Sequence, residues 1–199
     1  MIDLIKDALD KEQIKLPQEK IEKLDKFAKK LMWWNSVHNI TGAKSKEEIV
    51  ENIIDSLYPI TFIKEPNSLL DVGTGAGFPG LILAIAWENS LVTLAEPINK
   101  RAAFLKYISI ELGLKNVTVF KNRVEKLQGQ KFSLITSRAV TDTDLLLKLT
   151  KNVTKDDTEY LFFKGSNIFN ELKELDKKVT YDIVTRKKRN YLWIKSYGS

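Results

Sequence analysis

The sequence predicts an α/β protein: a seven-stranded, mostly parallel sheet with helices on both faces and a helical segment in front of it. Three observations carry this reading. From Glu65-Pro66-Asn67 onward, short apolar runs alternate with stretches of helical periodicity, the pattern of parallel strands joined by crossover helices. At the C-terminal end two strand-like runs follow one another with no helix between them, which predicts an antiparallel pair on one edge. Residues 1–65 show helical periodicity alone. The expected organisation is therefore 1–65, a helical segment packed on the remainder, and 66–199, the α/β domain.

Taken in order, Ile2, Ile5 and Leu9 share one helical face. After Pro17, a favourable helix start, Ile21, Leu24, Phe27, Ala28, Leu31 and Met32 recur at three- and four-residue spacing. Asn39-Ile40-Thr41-Gly42 reads as a turn, and a third helix is expected from about Lys46 to Ile63. Strands follow at Ser68–Val72, Leu91–Ala95, Val117–Phe120, Phe132–Ser137 and Glu159–Lys164. Helices are expected between them at about Gly80–Trp87, Lys100–Leu112 and Asp142–Thr150, and then near Asn167–Leu175. Val179–Thr185 and Tyr191–Lys195 form the closing hairpin around the basic turn Arg186-Lys187-Lys188-Arg189-Asn190.

Composition narrows the chemistry. The chain has 199 residues, 43% hydrophobic and 29% charged, a globular balance with no repeat. Its longest apolar run, Leu81–Trp87, is too short to cross a bilayer, and the N-terminus carries no secretory pattern, so a cytoplasmic protein is expected. The absence of cysteine excludes disulfides, thiolate metal sites and a cysteine nucleophile. With His38 the only histidine, neither a histidine metal site nor a Ser-His-Asp triad is expected. The net charge of +6 divides into −1 over residues 1–65 and +7 over residues 66–199. A basic C-terminal part suits a polyanionic partner such as nucleic acid, or is simply a solvated lysine-rich surface.

The most informative segment is Asp71-Val72-Gly73-Thr74-Gly75-Ala76-Gly77-Phe78-Pro79-Gly80, between the first strand and its helix. Ligands of open parallel sheets bind beyond the carboxyl ends of strands at such turns, where glycine admits positive φ and close approach. Glu96, at the end of the second strand, can accept both hydroxyls of a ribose. Gly75-x-Gly77-x-x-Gly80 formally matches a dinucleotide fingerprint, but Pro79 removes a backbone N–H where a pyrophosphate wants donors. The acid followed by Gly73, Gly75 and Gly77 instead resembles class I S-adenosylmethionine methyltransferases, Rossmann-like proteins whose seven-stranded sheet ends in an antiparallel pair.

Absences bear on the methyl acceptor. Without cysteine the covalent route to pyrimidine C5 is closed. After the fourth strand stands Thr136-Ser137-Arg138-Ala139-Val140, not the Asn/Asp-Pro-Pro-aromatic turn that serves exocyclic amines. A ring nitrogen such as guanine N7 needs neither device: its lone pair attacks in line, and no proton must leave first. This permits a ring-nitrogen acceptor without selecting one.

The chain resembles the glucose-inhibited division protein B family, bacterial methyltransferases of guanine N7 in small-subunit ribosomal RNA. The matching stretches run in order. They are Trp34-Asn35 with Asn39-Ile40-Thr41, Ile53-Ile54-Asp55-Ser56, the turn Asp71–Gly80, Glu96-Pro97, Lys100-Arg101, Phe104-Leu105, Arg123-Val124-Glu125, Ser137-Arg138-Ala139 and Lys164-Gly165. The resemblance implies S-adenosylmethionine as cofactor and 16S ribosomal RNA or the small ribosomal subunit as partner. It implies that Gly73 and Phe78 line the cofactor with Gly75 and Gly77, that Val124-Glu125 sit at the adenine end, and that Arg138 lies beside the methionine moiety or the incoming base. Arg138 also has its own case: a fixed cation at the carboxyl edge can meet a carboxylate or a phosphate. Family members often carry histidine where this chain has Asn52, so no imidazole role transfers.

The remaining candidates divide between chemistry and structure. Arg123 and Lys164 are positioned for RNA phosphate or for surface ion pairs. His38, beside Trp33, Trp34 and Asn39, reads as a packing and hydrogen-bonding residue; Trp33 and Trp34 could stack a base, although one of them belongs to the core. Asp55 and Ser56 read as supports for the Asn39–Thr41 turn. With few apolar residues off the core faces, a monomer is expected. No metal is expected. Two other functions fit the same pattern, a methyltransferase of small molecules or proteins and a non-enzymatic RNA-binding domain.

Overall fold

Every second residue of the central strands faces the same way, and the two faces bury different partners. The computed structural model describes residues 1–138, 141–174 and 179–196. Ala139, Val140 and Leu175, named above in the turn after the fourth strand and in the last helix, lie outside these. Strands β1 (Ser68–Val72), β2 (Leu91–Ala95), β3 (Val117–Phe120), β4 (Leu134–Arg138), β5 (Glu159–Lys164), β6 (Thr180–Arg186) and β7 (Arg189–Ser196) form one sheet in the order β3-β2-β1-β4-β5-β7-β6. The first five are parallel, and β7 runs antiparallel to both β5 and β6. The antiparallel edge hairpin and the parallel body are those expected from the alternation of apolar runs.

Leu69, Leu94, Leu134, Leu161, Phe163 and Tyr191 face a large core shared with helices α4 (Gly80–Ala86) and α5 (Asn99–Glu111). That core continues into α1 (Ile2–Lys11), α2 (Gln18–His38) and α3 (Lys46–Leu57), through Ile5, Leu24, Phe27, Leu31 and Ile53. The alternate residues Leu70, Ile135, Tyr160, Phe162 and Leu192 pack beneath Leu146 and Leu147 of α6 (Thr143–Thr150) and Ile168 of α7 (Ile168–Glu174). No helix among the described residues is long and apolar enough to cross a membrane.

Local chemistry sets the element ends. Asn39 closes α2 in the left-handed region at φ 48°, and Lys100 Nζ donates to the carbonyls of His38 and Asn39 at 2.8 and 3.0 Å. Ser45 Oγ caps α3 by accepting from Glu48 N–H, while the Glu48 carboxylate accepts from Lys44 N–H. The third helix expected to reach Ile63 ends at Leu57, and one 3-10 turn, Tyr58–Thr61, replaces its last stretch. Pro59 is the cause: it has no N–H to give to the Asp55 carbonyl, which accepts the Tyr191 hydroxyl instead. The apolar spacing of Ile60 and Ile63 persists because both still pack on the core.

Sheet order fixes where a ligand can bind. From β1 the chain steps outward through β2 and β3, then returns to the other side of β1 as β4. The crevice at this reversal opens beyond the carboxyl ends of β1 and β4, which carry the glycine turn and Arg138. The α2 helix supports that turn directly, since the Phe27 ring meets Phe78 edge-on at 5.4 Å and Phe104 at 6.2 Å. Phe27 is fully buried. Phe27→Ala is expected to lower the unfolding free energy by about 3–5 kcal/mol in urea titrations; a loss below about 1 kcal/mol would show that α2 is not part of the working core.

Candidate active site

The glycine turn is tied to the ends of two strands. Gly73 N–H and Thr74 N–H both donate to Ala95 O, at 2.9 and 3.3 Å. Gly73, Gly75 and Gly77 have φ of 69°, 62° and 102°, in the region that favours glycine. Gly73 and Gly75 remain partly exposed at the crevice, whereas Gly77 is buried. A Cβ on Gly77 would lie 3.0 Å from Leu81 Cβ and 3.3 Å from Leu105 Cδ2, so packing as well as φ requires glycine there. Phe78 is also buried; its ring lies between Phe27 and the Arg138 guanidinium, whose Cζ is 4.9 Å from the ring centroid.

Two carboxylates flank the turn. Glu96 is 2% exposed, and its oxygens accept from Gly75 N–H at 2.9 Å and Ile98 N–H at 2.8 Å. Each oxygen keeps a lone pair, enough for the hydroxyls of a ribose. Asp71 is fully buried, with Oδ2 accepting from Gly80 N–H at 2.7 Å. The Thr74 hydroxyl lies in its neighbourhood, yet neither Asp71 Oδ1 nor Thr74 Oγ1 completes a hydrogen bond with a protein partner. Burial pushes the Asp71 carboxyl up to about 6, against the opposing pull of the Thr74 hydroxyl, the Gly80 amide and Arg138. Orphaned buried acceptors in a turn are costly unless a ligand donates to them. Together with the glycine floor and Glu96, they suit a cofactor bearing an ammonium group and a ribose, as S-adenosylmethionine does.

Arg138 is the cation of the site. Its Nη1 donates to Asn52 Oδ1 at 2.9 Å and reaches Asp55 Oδ2 at 3.4 Å. Asp55 also takes Arg189 Nε at 3.1 Å on both oxygens, and the Tyr191 hydroxyl donates to it at 3.0 Å. Burial among aromatic rings raises the Tyr191 hydroxyl far above its usual range, so it stays a donor. Two guanidiniums thus share one carboxylate, leaving one positive charge beside the crevice.

This corrects the reading of Asp55 and Ser56. Neither supports the Asn39–Thr41 turn: Ser56 Oγ donates to Asn52 O, and it is Asn35 that holds the turn, accepting from Thr41 N–H at 2.9 Å and donating to Ala43 O at 3.2 Å. Asn52, where a family histidine was expected, is the partner of Arg138. No sequence signal links residues 86 positions apart.

The other candidates fall as follows. Val124 is buried under the sheet in a 3-10 turn, with Glu125 and Arg123 exposed beside it; Arg123 has no side-chain partner among the described residues. Lys164 is 8% exposed, with its Nζ 2.8 Å from Glu171 and donating to Thr141 O at 3.0 Å. It is therefore a structural cation, not an open phosphate contact. His38 is exposed with its ring 4.9 Å from Trp34; Trp34 packs on the core and Trp33 is 61% exposed, so one tryptophan of the pair is core as expected.

Two expectations test this geometry. A Cβ on Gly80 would lie 2.5 Å from Asp71 Cβ and 2.6 Å from Leu94 Cδ2, whereas one on Gly75 meets nothing within 4 Å. Gly80→Ala is expected to cost about 3 kcal/mol through overpacking, and Gly75→Ala only about 1–2 kcal/mol through its positive φ. Equal losses in urea unfolding would contradict the packing reason for Gly80. For Asp71, the folded carboxyl titrates at about 6 and the unfolded one near 3.8. Between these values the native state binds more protons, so this group makes stability fall as pH rises from about 4 to about 6. Ionising it in the folded protein costs about 3 kcal/mol. Subtracting the stability-versus-pH curve of Asp71→Asn from that of the unsubstituted protein is expected to show this fall; a flat difference would rule it out.

Comparison with known proteins shows the family of the chain. The family model for GidB, rRNA small subunit methyltransferase G, matches residues 20–193. The chain is 46% identical over 192 residues to Ribosomal RNA small subunit methyltransferase G of Aliarcobacter butzleri, covering 96% of this chain and 98% of that protein. It is 44% identical over 189 residues to the protein of the same name from Wolinella succinogenes, covering 95% and 96%. A methyltransferase crystal structure from Geobacter sulfurreducens superposes with a TM-score of 0.64 at 15% identity, covering 92% of this chain and 91% of that one. The fold is that of class I S-adenosylmethionine-dependent methyltransferases. By the match of its sequence over nearly its whole length, the chain belongs to the rRNA small subunit methyltransferase G family.

Proposed function

We propose that this protein transfers a methyl group from S-adenosylmethionine to N7 of a guanine in 16S ribosomal RNA, directly and in line. The carrying observation is the juxtaposition, at one sheet reversal, of the Asp71 and Glu96 carboxylates with a restrained Arg138, in a chain of a ribosomal RNA methyltransferase family. When bound, the cofactor supplies an electrophilic methyl on a sulfonium. Glu96 would take the ribose hydroxyls, while Asp71 Oδ1 and Thr74 Oγ1 would receive the ammonium end. Arg138, fixed by Asn52 and Asp55, would meet the methionine carboxylate or the incoming nucleotide.

The hydroxyls at the end of β4 fit an acceptor that loses no proton. The hydroxyls of Thr136 and Ser137 donate into the sheet, to Leu161 O at 2.7 Å and Val72 O at 3.0 Å. They offer no free base at the end of β4. A guanine N7 lone pair asks only for alignment and desolvation, so rate enhancement comes from positioning.

The test is incubation of the protein with tritiated S-adenosylmethionine and small-subunit particles from cells lacking it, followed by nucleoside analysis. Label is expected in 7-methylguanosine. Arg138→Ala is expected to lower kcat/KM by about a hundredfold or more. Glu96→Ala is expected to raise the cofactor KM by about ten- to a hundredfold, the value of a charged hydrogen bond. Label in another nucleoside would overturn the acceptor assignment, and unaltered kinetics in both variants would overturn the site.

A further inference from the structure

The turn between β6 and β7 projects from the carboxyl edge of the sheet. Asn190 pairs with Lys164, the last residue of β5, so Lys187 and Lys188 stand beyond the edge that carries the glycine turn and Arg138. A cleft of about 470 Å³ opens beside this turn, lined by Glu51, Asn52 and Asp55 of α3 and by the four basic residues 186–189. Asn52 and Asp55 form the wall it shares with the candidate active site, since both hold Arg138.

The charges of this cleft are unevenly satisfied. Arg186, 6% exposed, is anchored from one side by Glu12 at 2.7 Å. Its Nη1 donates to Glu51 Oε1 at 2.7 Å, and Lys187 Nζ donates to Glu51 Oε2 at 2.7 Å. Glu51 is thus a two-oxygen anion held by two cations in an opening, with 48% of its side chain exposed. Lys188 is exposed and has no partner among the described residues. Counting Arg138 and Arg189 against Asp55, the cleft carries an excess of positive charge even with Glu51 in place. Two donors spanning the two oxygens of one carboxylate also span two oxygens of a phosphate.

We propose that this cleft binds a phosphodiester of the RNA substrate next to the target nucleotide, with Glu51 as the internal anion that occupies the cradle in the free protein and yields it on binding. The proposal rests on the ribosomal RNA reading of the neighbouring site. It gives the Arg186–Arg189 run a function that its hairpin geometry alone does not require, and it separates two tasks along one edge. Arg138 faces the reacting groups, while the turn holds the backbone in register.

The sign of one substitution distinguishes this from a purely structural hairpin. Glu51→Gln removes the competing charge, so affinity for in vitro transcribed 16S ribosomal RNA in filter binding is expected to rise by about threefold or more, a gain that misfolding cannot produce. Lys188→Glu is expected to weaken binding by about threefold or more and to flatten the slope of log K against log salt by about 1. At saturating particle concentration its methyl-transfer rate is expected to return to that of the unsubstituted protein, because the cleft positions and does not react. Lys115→Glu, at the opposite edge of the sheet, serves as the charge-matched reference. Lys188→Glu indistinguishable from Lys115→Glu, in a protein that methylates the particles normally, would overturn the cleft as a phosphate site. Unchanged or weaker binding by Glu51→Gln would overturn the role of Glu51. If the unsubstituted protein transfers no methyl group to the particles, the functional reading fails first, and this proposal fails with it.

Discussion

A single buried carboxylate, Asp55, organises the catalytic edge. It accepts from Arg138 at the end of β4, from Arg189 at the start of β7 and from Tyr191 two residues later, while sitting on α3. Three segments far apart in sequence therefore converge on one group that is 5% exposed. Desolvating an ion pair offsets much of its Coulombic gain, so this arrangement adds little net stability as a unit. Its consequence is geometric: removing the carboxylate would leave two half-buried guanidiniums without their anion, Arg138 with only Asn52 as partner, which costs more than the pair contributes. The helical segment is thereby locked to the strand ends, and the Arg138 guanidinium is held over Phe78 at 4.9 Å.

The glycine turn shows the opposite economy. Asp71 is held by one backbone N–H and burial raises its affinity for a proton, so the free protein carries it at a cost. A neutral side chain of the same shape would suit the fold better. The carboxylate becomes favourable once a cationic ligand supplies the missing donor to Oδ1. Asp55 is satisfied from within and Asp71 is not, and that contrast separates a carboxylate that builds the edge from one left with an open acceptor.

Most of the fold was legible because apolar period reports burial. Strands β1, β2, β3 and β5 fall where alternation and length placed them, and the turn Asp71–Gly80 marked the crevice. The nearness of Glu96 to it was legible because the end of the second strand must lie beside that turn. What escaped was set by long-range pairing or by a local veto. Pro59 overrode a helical spacing that continued past it. Asn52, Asp55 and Arg138 meet across more than 80 positions, and Lys164 is consumed by Glu171 of the following helix. Nothing in a hydrophobic pattern encodes which cation a buried carboxylate will choose.

The same limit applies to charge. Division of the chain into a near-neutral first third and a basic remainder suggests a broadly cationic face on the α/β part. Folding mixes the two, because Glu12, Glu51 and Asp55 of the N-terminal segment pair with Arg186, Lys187, Arg189 and Arg138 of the remainder. Other cations stay exposed on the surface, among them Lys121 and Lys126 near the end of β3. Arg123 lies after β3, at one flank of the crevice, and Lys188 stands at the hairpin turn on the other. The carboxyl edge thus carries a restrained Arg138 between exposed cations on either flank. Which basic side chains stay open is set by where Glu12, Glu51 and Asp55 reach them, a property of the folded pairing and not of net charge.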